Sequence, residues 1–166
     1  MKKMFRWRRK KDPRRNYLNK MAIGLGAGIV KAREVLLNPD MVDPQAAMDI
    51  LGTWIGQELA KELLAQKVIA PNESSESLLE KLLEEVRIAE DLAIDFEGGT
   101  AHISVQNCLI CPRKVGGYDL EGYTACPVGG IVRGAVGFVS GKPPQLSRID
   151  LKTGELCKVD FALDAE

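Results

Sequence analysis

The chain has 166 residues, 45% of them hydrophobic and 28% charged. These are the proportions of one globular domain rather than of a disordered chain. The formal net charge of zero averages two opposite parts: residues 1–20 carry ten Lys and Arg against the single acid Asp12, and the other 146 residues carry 13 bases and 22 acids. The longest apolar run, residues 21–30, includes three glycines. It is too short for a membrane span and too glycine-rich for the core of a secretion signal, so a soluble, cytoplasmic protein without a transmembrane segment is expected.

Residues 1–20 lack apolar periodicity and read as a basic, mobile arm, with residues 21–166 as a single domain. The arm bears Lys2, Lys3, Arg6, Arg8, Arg9, Lys10, Lys11, Arg14 and Arg15, with Phe5 and Trp7 among them. Stacking and phosphate contacts are both open to such a segment, so nucleic acid or an anionic membrane surface is a candidate partner. A simple docking or solubility tail is the plainer reading.

The pattern over residues 21–37 predicts a helix, stopped by Asn38-Pro39-Asp40. Its Gly24-Leu25-Gly26-Ala27-Gly28 lacks a preceding strand and the full dinucleotide-binding spacing, so close helix packing accounts for it better. Asp43 and Pro44 open a second helix running to about Gln66. Met48, Leu51, Ile55, Leu59 and Leu63 share one face of it, and Gly52 and Gly56 form an adjacent stripe that a neighbouring backbone can approach. A third helix is predicted from Ser77 to about Leu92, with Ser74 or Ser75 as alternative caps. It buries Leu79, Leu82, Leu83 and Val86, and turns Glu76, Glu80 and Glu84 outward.

Here the period changes to alternation. Residues 93–97 and 100–107 read as a hairpin about Gly98-Gly99, with Ile103 and Val105 on one face and His102, Ser104 and Gln106 on the other. A small-residue helix follows over 128–139, then strands over 146–151 and 156–163. The order α-α-α-β-β-α-β-β predicts an α+β domain with a mostly antiparallel sheet. His102, the one histidine, has no evident nucleophile or orienting partner and reads as an ordinary strand residue.

Four cysteines, Cys108, Cys111, Cys126 and Cys157, lie in the last third. Cys108 and Cys111 form a C-x2-C knuckle after a predicted strand, and Cys126 precedes a helix N-terminus, where the dipole favours a thiolate. Four thiolates match a tetrahedral zinc site with bonds of roughly 2.3 Å. A [4Fe–4S] cluster uses the same ligand number, and a thiol switch or plain packing also remains open.

Residues 107–111, the run Thr124-Ala125-Cys126-Pro127-Val128-Gly129-Gly130-Ile131-Val132-Arg133-Gly134, residues 137–142, Gly154 to Cys157 and Val159-Asp160-Phe161 together resemble the 4-vinyl reductase domain. This is also called the predicted hydrocarbon-binding domain, and the likeness is to its small stand-alone archaeal members. The resemblance implies the fold of TRAPP-complex subunits, a homodimer, and a buried apolar chamber for a small hydrophobic ligand. In phenol-sensing members, cysteines and one acid hold zinc near that chamber. Cys126 and Cys157 match family cysteine positions, whereas Leu151, after Asp150, stands where a further cysteine is common, so Cys108 and Cys111 are expected to complete the site. Met48, Leu51, Trp54, Ile55, Ile131, Ala135 and Phe138 are the candidate chamber lining. The expectation is therefore a non-enzymatic sensor or carrier of a small apolar ligand with a four-cysteine zinc site. The alternatives are an iron–sulfur redox component and a nucleic-acid-associated zinc module acting through the arm.

Overall fold

The computed structural model describes residues 44–87, 89–108, 126–151 and 156–163. The basic arm, the predicted helix over 21–37 and Cys111 lie outside these residues. The elements are α1 (Pro44–Ala65), α2 (Ser75–Val86), β1 (Ala89–Glu97), β2 (Thr100–Cys108), α3 (Val128–Ser140), β3 (Gln145–Asp150) and β4 (Cys157–Ala162). All strand pairs are antiparallel, in the order β1-β2-β4-β3. The α+β class and antiparallel sheet are as the patterning predicts.

The β1–β2 hairpin closes where Glu97 pairs with Thr100. Gly98 and Gly99, at φ 57° and 76°, supply the two left-handed residues that a tight hairpin with the native strand twist requires. Strand alternation then divides the sheet. Ala101, Ile103, Val105, Val159 and Phe161 point into a core shared with Leu78, Leu79 and Leu82 of α2 and Val128, Val132 and Val136 of α3. His102 and Asp160 lie on the other face.

The third predicted helix is corrected at its end. It stops at Val86, and the span expected to continue to Leu92 is instead the first part of β1. Arg87 takes a left-handed conformation (φ 43°), and its N–H donates to Leu83 O. That ends the helix as glycine usually does, and pairing of Ala89 with Cys108 and Asp91 with Gln106 extends the strand.

Ser74 caps α2, accepting from Ser77 N at 3.3 Å. Next to it, Glu73 gathers three donors: Lys81 Nζ at 2.8 Å, Ser77 Oγ at 2.6 Å and Ala70 N at 3.0 Å. The Lys81 and Ser77 side chains, and then the Ala70 amide, hold the carboxyl pKa down at about 2, against an ordinary 4.5. A depressed folded-state pKa means that this group's stabilisation is complete above the unfolded value and is lost as pH falls towards 2. Glu73→Gln should therefore lower the thermal midpoint at neutral pH, and the gap to the parent should close on acidification through that window. A gap of constant size across the same pH range would contradict this role.

Candidate functional site

Of the three described cysteines, two stand on neighbouring strands towards one end of the sheet. β4 begins at Cys157, which pairs with Val105, and β2 ends three residues beyond Val105 at Cys108. Simple alternation from Ile103 and Val105 would turn Cys108 outward. Asn107 intervenes with a left-handed backbone (φ 54°), and both Cys108 and its partner Ala89 pack on the core. Asn107 is itself tied to β1, donating from Nδ2 to Asp91 Oδ2 at 3.1 Å.

Cys126 is held differently. Its N–H donates to Gln45 Oε1 and its carbonyl accepts from Gln45 Nε2, both at 3.0 Å. The first turn of α1 thus grips the entry to α3 across 81 residues of sequence. A Cβ on Gly129, one turn further, would lie 4.0 Å from Leu146 Cδ2. This end of α3 therefore lies by β3, whose Leu146 pairs with Phe161. All three described cysteines are half-buried. Among the described residues, no group of three His, Cys, Asp or Glu side chains is placed to hold a metal ion.

The candidate chamber lining is redistributed. α1 and α3 meet through glycine on both helices, so their backbones touch. A Cβ at Gly52 would come 2.9 Å from Ile131 N, and one at Gly56 would come 2.9 Å from Ala135 N. On α3, a Cβ at Gly130 would press on the Asp49 backbone and one at Gly134 on that of Thr53. Such approach leaves no room for a ligand between these helices. Met48, Ile131 and Ala135 are buried and Leu51 is half-buried, but Trp54 is 65% exposed, Ile55 40% and Phe138 43%. The seven residues therefore do not line one enclosed chamber among the described residues. The buried stripe of α1 is Met48, Gly52, Gly56, Ala60 and Leu63, rather than the one through Leu51 and Ile55.

A groove of about 230 Å³ runs between α2 and β1, floored by Leu83, Leu92 and Ile94 and rimmed by Glu80, Lys81 and Glu84. It is smaller than the roughly 300–1,000 Å³ of ordinary small-molecule sites, and its rim is charged.

His102 belongs to a polar row on the opposite face of the sheet. Its Nδ1 lies 3.0 Å from Asp160 Oδ1, and the register sets Asp95 beside it on β1 and Arg148 beyond Asp160 on β3. Sequence reading missed Asp160 as the partner of His102 and Gln45 as the clamp on Cys126. Both pairings are long-range and leave no local signal. The glycine seam did leave one, since Gly52/Gly56 and Gly130/Gly134 repeat the same four-residue spacing.

Among the described residues, no helix is long and apolar enough to cross a membrane. Residues 25–163 match the family model described as the MJ0207 family. A curated relative, "Uncharacterized protein MJ0207" from Methanocaldococcus jannaschii, is 28% identical over 119 residues, covering 68% of this chain and 71% of its own length. No solved structure matches the chain.

Proposed function

The chain belongs to the MJ0207 family. We propose that it is a non-catalytic binding protein for a small apolar molecule, braced by a structural zinc clasp. The clasp consists of Cys108, Cys111, Cys126 and Cys157. The observation that carries the clasp is that Cys108 and Cys157, both half-buried and packed on the core, stand on neighbouring strands towards one end of the sheet, three residues apart in register. Half-buried thiols suit zinc, which favours sulfur donors and closed tetrahedral shells. Cys108 and Cys126 bound the segment 109–125, which contains Cys111 and which the ion would fasten to the domain. The apolar ligand rests on the resemblance to the 4-vinyl reductase domain.

Purification of the full chain without air, followed by elemental analysis and an absorbance spectrum, tests the clasp. One zinc per chain in a colourless protein is expected. Iron with sulfide would transfer the cysteines to a cluster, and a metal-free folded protein would remove the clasp altogether. Thermal-shift screening against apolar compounds tests the ligand, and no shift with any apolar class would sink that part alone.

A further inference from the structure

The helical half of the domain leaves one apolar feature unexplained. The outward stripe of α1, opposite Gly52 and Gly56, begins with Ile50 and Trp54, which are 62% and 65% exposed and one turn apart. Further along, the same outward side is charged, with Glu58, Lys61 and Glu62 exposed. The apolar surface is thus confined to the first half of the helix, the half nearest the chain that precedes Pro44.

We propose that residues 25–37 dock on this outer face as an antiparallel helix, making a third layer on α1. Three observations converge on that occupant. First, only residues 38–43 separate the segment from Pro44, and connections this short make consecutive helices neighbours lying side by side. Doubling back over so short a link lays the segment along the turns that carry Ile50 and Trp54. Second, Leu25, Ile29, Ala32 and Leu36 recur at helical spacing, with Lys31 and Glu34 off that stripe. The segment therefore has one apolar stripe to bury, with Lys31 and Glu34 turned away from it. Third, the family match starts at residue 25, inside this segment and after the basic arm, so the family's shared unit includes it.

This docking does not depend on the proposed ligand.

The test uses the full chain with a benzophenone amino acid at position 54, where the exposed indole leaves room for a photoreactive aromatic group. Irradiation of a mixture of isotopically light and heavy protein, followed by peptide mapping, distinguishes crosslinks within a chain from those between chains. Crosslinks within one chain, from position 54 to residues 25–37, are expected. Light-to-heavy crosslinks joining two α1 helices would assign the face to a second copy and overturn the proposal. Absence of any crosslink to 25–37 would also overturn it. An independent reading uses Trp7→Phe, which leaves Trp54 as the single tryptophan. Its quenching by acrylamide should rise severalfold on adding Ile29→Asp and Leu36→Asp, with the far-UV spectrum otherwise preserved. Unchanged quenching would contradict the docking. A crosslink obtained with no apolar ligand found would remove the ligand reading and leave the docking standing.

Discussion

Gly134→Ala should abolish or nearly abolish stable folding. The added methyl would meet Thr53 backbone atoms, with Thr53 Cα at 2.8 Å and Thr53 C at 2.7 Å. Main-chain atoms of a packed helix cannot swing aside as a side-chain tip can, so α1 and α3 must separate along their length. Overpacking typically costs about 1–3 kcal/mol and sometimes more, and this site belongs with the severe cases because four glycines share the contact. Alanine's helix-propensity advantage over glycine, about 1 kcal/mol, offsets only part of the loss. Gly56→Ala and Gly130→Ala should behave alike. Gly129→Ala is the control: its methyl would sit at ordinary contact, 3.4 Å from Asp49 Oδ1 and 4.0 Å from Leu146 Cδ2. That variant should be neutral or slightly stabilised. Thermal midpoints of the four proteins, read by circular dichroism, decide the matter. A normal midpoint for Gly134→Ala would mean that the helices do not touch as described.

On the proposed zinc clasp, stripping metal from the reduced, purified chain should have an effect of similar severity. Structural zinc in small domains contributes on the order of 10 kcal/mol of apparent folding free energy, against roughly 5–15 kcal/mol of total stability for a typical domain. A strong chelator is therefore expected to shift the thermal midpoint sharply downward. Cys108→Ser and Cys157→Ser should reproduce that shift without chelator. The direction with pH follows from the ligands: they bind as thiolates, so acidification returns protons to sulfur and releases the ion. The midpoint should fall with decreasing pH in the metal-loaded protein and much less in the cysteine variants. A chelator that leaves the parent's midpoint unmoved, with both serine variants at parental stability, would end the structural-zinc reading.

The elements most readable from sequence were those specified by neighbouring residues. Gly98-Gly99 between alternating segments identified the hairpin, and the small-residue run over 128–139 identified α3, which ends where Gly141 adopts φ 76°. The end of α2 was hidden because Ala89, Glu90 and Leu92 suit helices as well as strands, and because Arg87 stands where a glycine would have signalled the stop. Only pairing with β2, a contact made by tertiary structure, decides that span. The stripe on α1 was misjudged for a different reason. Ranking faces by hydrophobicity favours Leu51 and Ile55, whereas the closest contact is made by the residues with no side chain. As for the candidate site, spacing suggested the four cysteines as a set, and the structure places Cys108 and Cys157 on neighbouring strands. The grip of Gln45 on Cys126 and the left-handed Asn107 beneath Cys108 depend on distant strands and helices, so composition and spacing could not reveal them.

The described sheet ends in β1 and β3, and each border carries its own deterrent against recruiting a foreign strand. β1 bears Glu90, Asp91, Asp95 and Glu97 along its nine residues, a density of like charge that would repel a copy of itself laid alongside. β3 is short, follows Pro143-Pro144, and breaks register against β4 between Leu146 and Arg148. Irregular, charged or proline-flanked borders are how natural sheets avoid growing from edge to edge. The acidity of this part of the chain thus has a use apart from any partner: it keeps a small open sheet from serving as a template for aggregation.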